Sequence, residues 1–396
     1  MNNTRKLIYS LRYVFIVVFI VLITASYHPT IVSLSRSAGY ESGTILSRYI
    51  TLVFIVLFAL CLSMAPLKNR FVKTYVLMLA PIAIVSLWIL AFYNNGMMMD
   101  TIRDIVLCLF AVFIGWTLNL KKTELEYLLL FFSVMVLFVG FFQVMTNIGG
   151  FVIKNQYLVD AKNSLGVLLG SSVISMLVVW RTTNRPAIRF WAFVSGLIGI
   201  FIILTIRARA AFLAVLFVGL IVLFKSTRGR TFAIVSLILF IVLIITLPFL
   251  PDVIYNYVYD SLFSGTQADD VSSGRLSTYK YALSFLSEGN HIWFGDVNQS
   301  DELGHWIHNY PLLQMYRYGL VYSLPLLVFY VYLAFFSFAH AFRFSSHIFE
   351  VGYSLVSIII IISLLEPTFP FSPGTATLLN YIVLGSTLRF SDLKLA

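Results

Sequence analysis

The chain has 396 residues, of which 60% are hydrophobic and only 11% are charged, and its mean hydropathy is +0.91. Average soluble domains carry about 25% charged residues, so this composition excludes a soluble globular protein. Apolar runs of about 20 residues, enough to cross about 30 Å of hydrocarbon, recur from one end of the chain to the other. The composition therefore predicts an all-α polytopic membrane protein.

The hydropathy pattern predicts about twelve transmembrane helices. They lie near residues 11–27, 45–66, 74–93, 101–118, 125–146, 162–180, 190–206, 209–224, 231–249, 308–340, 348–365 and 376–389. The tenth is predicted to be one long or broken helix. No small-x-small cleavage site closes the first apolar run, so we expect it to remain as a span. Three parts result: spans one to nine at 1–249, a large loop at 250–307, and spans ten to twelve at 308–396.

Lys and Arg residues are unequally divided between alternate loops, with 17 of the 27 on one side. The positive-inside rule then places both termini in the cytoplasm and the large loop outside. The net charge of +10 is mainly this orientation signal. The cytoplasmic loops are too short to hold a nucleic-acid-binding domain, so no nucleic-acid partner is expected.

Two arginines depart from the charge pattern, because Arg207 and Arg209 lie at the outer connection between the seventh and eighth predicted spans. Arginines at helix ends often extend toward lipid headgroups, and that interpretation stays open. The neighbouring small residues Ala208, Ala210 and Ala211 permit close helix packing, which favours an inward orientation. An inward-facing charge at the membrane is a candidate functional residue.

A third outer cation, Arg275, follows the turn-forming segment 272–274. Helical spacing then recurs at Leu276, Tyr279, Leu283 and Leu286. This spacing predicts a short amphipathic helix that begins at Arg275. Arg275 is either a ligand of an anionic substrate or a solvated loop arginine, and these residues alone do not separate the two.

Half of the six histidines, namely His291, His305 and His308, lie near the end of the large loop. A metal site is one interpretation, but no HExxH or DxD pattern supports it. A structural role at the membrane interface is an alternative for His291 and His305. His308 directly precedes an apolar span, where a neutral imidazole can accept a proton from a hydroxyl. The polar neighbours that could contact a substrate are Asp296, Asp301, Glu302, Asn309 and Tyr310.

Several arginines and one base at the outer membrane surface suit a lipid-linked phosphate donor. Guanidinium groups bind a pyrophosphate leaving group through paired hydrogen bonds. A base removes the proton of the attacking sugar hydroxyl. This chemistry needs no cofactor, metal or nucleotide, and no phosphate-binding glycine-rich loop is evident.

The order of motifs resembles the O-antigen ligase and O-antigen polymerase (Wzy) superfamily over about residues 190–340. The motifs are Arg209-Ala210-Ala211-Phe212-Leu213-Ala214, Gly274-Arg275, Trp293-Phe294-Gly295, His308-Asn309-Tyr310-Pro311-Leu312 and Gly319-Leu320. The chain departs from the family where Ala208 and Ala210 flank the first arginine and where Gly295-Asp296-Val297 replaces a glycine-x-glycine.

The resemblance implies a C-type (GT-C) membrane glycosyltransferase with about twelve spans and one large periplasmic loop containing short helices. It implies a bacterial inner-membrane location, undecaprenyl-pyrophosphate-linked glycans as donor and acceptor, and bilayer lipid as surroundings; it also allows a chain-length regulator protein as partner. It places Arg209 and Arg275 at the donor pyrophosphate and His308 as catalytic base. Arg207 is added only because it is adjacent.

Three functions are compatible with these features. A polymerase would transfer the glycan to another lipid-linked repeat unit, a ligase would transfer it to lipid A-core, and a transporter would move the same lipid across the membrane. The aromatic and acidic outer loop favours the polymerase. Six other outer-side residues could line a glycan groove, but each is interpreted singly as an interface charge: Arg36, Arg48, Arg103, Lys154, Lys162 and Glu366.

Overall fold

The computed structural model describes residues 3–37, 45–63, 96–146, 162–206, 208–225, 230–231, 234, 275–295, 307–343, 347–366 and 375–395. Within these ranges every regular element is a helix. The predicted span at 74–93, nearly all of the span at 231–249 and most of the loop at 250–307 lie outside the described residues.

The helices coincide with most of the predicted apolar segments. The N-terminal part contains α1 Asn3–Ala25, α2 Pro29–Ser37, α3 Ser47–Leu62, α4 Gly96–Leu118, α5 Lys122–Thr146, α6 Lys162–Thr182, α7 Pro186–Thr205 and α8 Arg209–Phe224. The loop region contributes α9 Arg275–Ser287 and α10 His291–Phe294. The C-terminal part contains α11 Tyr310–Arg343, a 3₁₀ turn Ile348–Glu350, α12 Val351–Leu365, a 3₁₀ turn Thr375–Thr377 and α13 Leu378–Leu395.

By length and composition, four helical segments among the described residues can cross a membrane: Lys122–Thr146, Asn163–Thr182, Pro186–Thr205 and Ile348–Leu365. A fifth span results if α1 and α2, which meet at a 74° bend, count as one. Shorter apolar helices lie in α3, α4, α8 and α11. The fold fits a helical membrane protein, while the number of twelve spans stays a prediction.

Helices α6 and α12 form the interior of the bundle. In the most apolar stretch of each helix, 78% of α6 and 83% of α12 with its preceding 3₁₀ turn are buried, whereas only 44% of α5 and 33% of α7 are buried. Buried serines of α6 are bonded to neighbouring helices: Ser172 lies 2.5 Å from Ser133, and Asn380 donates to Ser171 at 2.8 Å. Such bonds satisfy polar groups where no water is available and hold helices together.

The long helix α11 is broken at Gly319, whose φ of 64° and ψ of 176° are not helical. This confirms the expectation of a long or broken helix. The break separates a short first segment from the apolar part of α11. At the break, α10 approaches so closely that a Cβ on Gly319 would overlap the backbone of Trp293 and Phe294. A Cβ on Gly295 would lie 2.6 Å from the carbonyl oxygen of Arg317.

Helix α9 begins at Arg275, where the sequence predicts a helix start, but its buried face differs from the predicted one. Ala282, Phe285 and Leu286 are buried and cluster with Leu313 and Tyr316 of α11. The predicted face also contained Leu276 and Leu283, which are 43% and 56% exposed. The surface presented by α11 selects the buried face, and this surface is not visible in the local spacing.

We expect Gly319→Ala to destabilise the fold by about 3 kcal/mol or more, because it adds both backbone strain and a backbone collision. Gly289→Ala is the matched control, since Gly289 also has positive φ (55°) but nothing lies within 4 Å of the added methyl group. The control should cost only about 1–2 kcal/mol. Thermal unfolding in detergent measures both, and equal losses would show that the contact with α10 is unimportant.

Candidate functional site

Four helix ends meet at one end of the bundle and bring together four polar side chains. Asn163 lies at the start of α6, Arg275 at the start of α9, His308 just before α11, and Glu366 just after α12. Polar groups concentrate at helix ends because the helices themselves are apolar and close their own backbone hydrogen bonds. This end of α6, α8 and α12 is called the site end below.

Glu366 is the centre of the arrangement. Its Oε1 accepts a hydrogen bond from Nη2 of Arg275 at 2.6 Å. Its Oε2 accepts from Nδ2 of Asn163 at 2.7 Å and lies 2.9 Å from Nδ1 of His308. The carboxyl side chain is 5% exposed. A carboxylate can accept several hydrogen bonds when ionised, and this one receives three from distant parts of the chain.

The contact with Glu366 determines which nitrogen of His308 carries the proton. An ionised carboxylate only accepts hydrogen bonds, so Nδ1 must donate in a neutral imidazole. Nε2 then has a free lone pair, the state required of a general base. The imidazole is 26% exposed, and among the described residues Nε2 has no polar partner. The backbone of His308 is also held, because the Tyr279 hydroxyl donates to its carbonyl oxygen at 2.6 Å.

Arg275 is held by two contacts with the end of α12. Besides the ion pair with Glu366, its Nη1 donates to the carbonyl oxygen of Leu365 at 2.7 Å. The side chain is 24% exposed. A guanidinium has five N–H donors, so these two bonds leave donors on both terminal nitrogens. The exposed edge of the group can therefore bind an anion without losing its contacts with α12.

Arg209 is the first residue of α8, and the packing of that helix locates it. A Cβ on Gly166 of α6 would lie 3.1 Å from Cβ of Ala208 and 3.2 Å from Cβ of Ala211. The predicted close packing of these alanines is therefore present. Gly166 is about one helical turn from Asn163. The start of α8 thus lies at the site end.

Asn309 and Tyr310, predicted as substrate contacts, mainly support the protein itself. Asn309 donates to the carbonyl oxygen of Leu364 at 3.0 Å and accepts from the amide of Leu312 at 3.0 Å. It thereby joins the start of α11 to the end of α12. Tyr310 is fully buried, and its ring packs against Tyr330 at 5.6 Å. The Tyr310 side chain is therefore closed to a substrate, whereas Asn309 is partly exposed and its substrate contact stays a prediction.

The remaining predicted residues divide into two groups. Arg207, Asp296, Asp301, Glu302 and His305 lie outside the described residues, so their predicted roles stay predictions. His291 is described, and its ring packs against Phe285 at 4.3 Å, which fits the structural interpretation. No group of three potential metal ligands occurs within the described ranges.

Sequence reasoning missed the central residue. Glu366 was interpreted as an interface charge, and Asn163 was not singled out. A carboxylate directly after an apolar span and directly before Pro367 was the available signal. What the sequence could not show is that residues 163, 275, 308 and 366 meet.

Comparison with known proteins adds no assignment. No family model matches. The chain also has no significant sequence match among curated proteins. Function must therefore be argued from the site.

We expect Tyr279→Phe to lower stability by about 1 kcal/mol, because it removes the hydroxyl that holds the His308 backbone. Burial raises the pKa of Tyr279, so the phenol remains a neutral donor at pH 7. Tyr281→Phe is the control, since Tyr281 lies on the same helix and is 44% exposed. Its effect should stay within about 0.5 kcal/mol. Equal melting temperatures for the two variants would contradict the role of the Tyr279 bond.

Proposed function

We propose that the protein is a metal-independent, inverting glycosyltransferase that polymerises undecaprenyl-pyrophosphate-linked repeat units into O-antigen or a related surface polysaccharide. The observation that carries the proposal is the Glu366–His308 pair beside Arg275 at one end of a bundle of apolar helices. An oriented base beside a guanidinium is what transfer from a lipid pyrophosphate requires.

In the proposed reaction the base activates the acceptor. A sugar hydroxyl of the acceptor donates its hydrogen bond to Nε2 of His308. As its oxygen attacks the anomeric carbon of the donor, the proton passes to Nε2. Glu366 holds Nδ1–H and stabilises the resulting imidazolium, because the carboxylate lies 2.9 Å away. A single displacement from the face opposite the leaving group inverts the anomeric configuration.

The arginines act on the leaving group. The bond between the anomeric carbon and the pyrophosphate oxygen breaks, and the electron pair remains on the lipid pyrophosphate. Arg275 presents its exposed edge to this charge, and Arg209 contributes a second cation from the N-terminus of α8. A helix N-terminus also favours phosphate, because its first amides point outward without intrahelical partners. Arg207 is proposed to act beside Arg209.

Location and partners belong to the same proposal. The charge distribution supports cytoplasmic termini and an outward-facing site, and the motif resemblance implies that the membrane is a bacterial inner membrane with the site on its periplasmic face. The donor and the acceptor would both be lipid-linked glycans, with Asp296, Asp301 and Glu302 contacting sugars. The polymerase is preferred to the ligase because the outer loop is aromatic and acidic. Of the residues at the site end, Arg209, Arg275 and His308 belong to the motifs that carry the resemblance, whereas Asn163 and Glu366 lie outside residues 190–340.

Purified protein supplied only with a synthetic undecaprenyl-pyrophosphate repeat unit should form a ladder of products. We expect His308→Ala to lower the initial rate by about 10²–10⁴-fold. His291→Ala is the control, since its ring packs on Phe285 away from these contacts, and it should keep the rate. Product only after addition of lipid A-core would identify a ligase instead. Unchanged ladder formation by His308→Ala would remove His308 from the chemistry.

We expect Glu366→Gln to lower the rate by about 10²-fold or more, because it reverses the imidazole tautomer. Arg275 donates at the Oε1 position, so the amide oxygen would stay there. The NH₂ group would then replace Oε2, where it would face Nδ1, and Asn163 would have to turn its own amide to present an oxygen. Nδ1 would then accept, and Nε2 would carry the proton and lose its basic lone pair. Glu366→Asp keeps an acceptor and should retain more activity. Equal activity of Glu366→Gln and Glu366→Asp at equal folded concentration would show that Glu366 does not act through the His308 tautomer.

A further inference from the structure

The three helices that carry the site also share a charged cluster at their other ends. At the site end they contribute Asn163 from α6, Arg209 from α8, and Glu366 after α12. At the opposite end α6 carries Arg181, α8 is followed by Lys225, and α12 is preceded by Glu350. The residues Arg181, Lys225 and Glu350 are called the far-end cluster.

Glu350 joins all three helices in this cluster. It forms ion pairs with Arg181 and with Nζ of Lys225, the latter at 3.0 Å. Arg181 also donates from Nη1 to the carbonyl oxygen of Val222 in α8 at 2.7 Å. The side chains of Arg181, Lys225 and Glu350 are 3%, 9% and 0% exposed. One buried carboxylate thus pairs with two cations, and all three side chains are shielded from solvent.

The two clusters are separated by the length of a membrane span. From 163 to 181 along α6 is about 27 Å, and the intervals 209–225 and 350–366 are each about 24 Å. These lengths approach the hydrocarbon thickness of about 30 Å. The ionic contacts therefore join one end of three helices whose other ends form the site.

Close packing midway links the two ends. A Cβ on Gly170 of α6 would lie 3.4 Å from a methyl carbon of Val215 in α8 and 3.7 Å from one of Ile358 in α12. The three helices thus touch at one level in the bundle. Packed interiors transmit displacement because they contain few voids.

We propose that Glu350 is a positioning residue, which holds α6, α8 and α12 in register so that Arg209 and Glu366 meet the same substrate. The expected loss of activity rests on the proposed glycosyl transfer, whereas the expected change in helix register does not. Removing Lys225 breaks the ion pair with the end of α8, keeps the hydrogen bond from Arg181 to Val222, and leaves Arg181 and Glu350 as a one-to-one pair. Removing Glu350 leaves two neighbouring buried cations without a counter-ion. Lys225→Met is therefore the milder change.

The rate at which an engineered disulfide forms tests, independently of activity, whether the site ends of α6 and α8 stay in register. Gly166 and Ala211 lie at the site end, and cysteines there would have Cβ atoms near the 3.5–4.5 Å of a disulfide. In a chain with Cys61 and Cys108 replaced by alanine, Gly166→Cys with Ala211→Cys should oxidise rapidly. Adding Lys225→Met or Glu350→Gln should slow this oxidation. Glu126→Gln is the control, because Glu126 is a buried carboxylate on α5, a helix outside the three.

Kinetics test the functional consequence. Per folded molecule, Lys225→Met should lower the rate of polymer formation about tenfold or more, since small misplacements of reacting groups are costly. Lys225→Arg should restore it, and Glu126→Gln should leave it unchanged.

Unchanged oxidation in folded Lys225→Met protein would overturn the inference, and so would an unchanged rate per folded molecule. If the unsubstituted chain makes no polymer but oxidation slows as expected, the proposed reaction fails and the positioning by Glu350 stands.

Discussion

The Glu366 carboxylate accepts hydrogen bonds from Asn163, Arg275 and His308, which lie in three segments far apart in the chain. Each donor would lose its partner if the carboxylate moved, and unpaired polar groups cost more where water is scarce. The start of α6, the start of α9, the approach to α11 and the end of α12 are thereby held in one arrangement. The chemistry available at this end of the bundle depends on that constraint.

Charge balance at the site has a chemical consequence. Arg275 and Glu366 neutralise each other, so with a neutral imidazole at His308, as a general base requires, the three groups carry no excess charge. A pyrophosphate would add negative charge, which requires further cations. Arg209 at the start of α8 is the proposed source of one. In the proposed reaction Glu366 therefore orients the base His308, and Arg275 and Arg209 bind the leaving pyrophosphate.

The site residues are positioned by helices and by the irregular backbone at Gly319. The break at Gly319 allows α10 to approach α11, and the first segment of α11 in turn packs against α9 through Leu313 and Tyr316. His308 and Arg275 are therefore positioned by one small cluster of helices. Glu366 and Asn163 come from the interior helices α6 and α12. The site forms where these two groups of helices meet.

The sequence by itself determined the class of fold and the location of several helices, because apolar run length depends only on local composition. It also pointed to Arg275 and His308, since a cation or a histidine beside an apolar span is conspicuous in one dimension. It did not single out Glu366 as the centre, nor the buried face of α9, nor the structural use of Asn309 and Tyr310. Those features depend on which surfaces meet. Only the tertiary structure decided them, because residues 163, 275, 308 and 366 become neighbours through helix packing and through no property of their own segments.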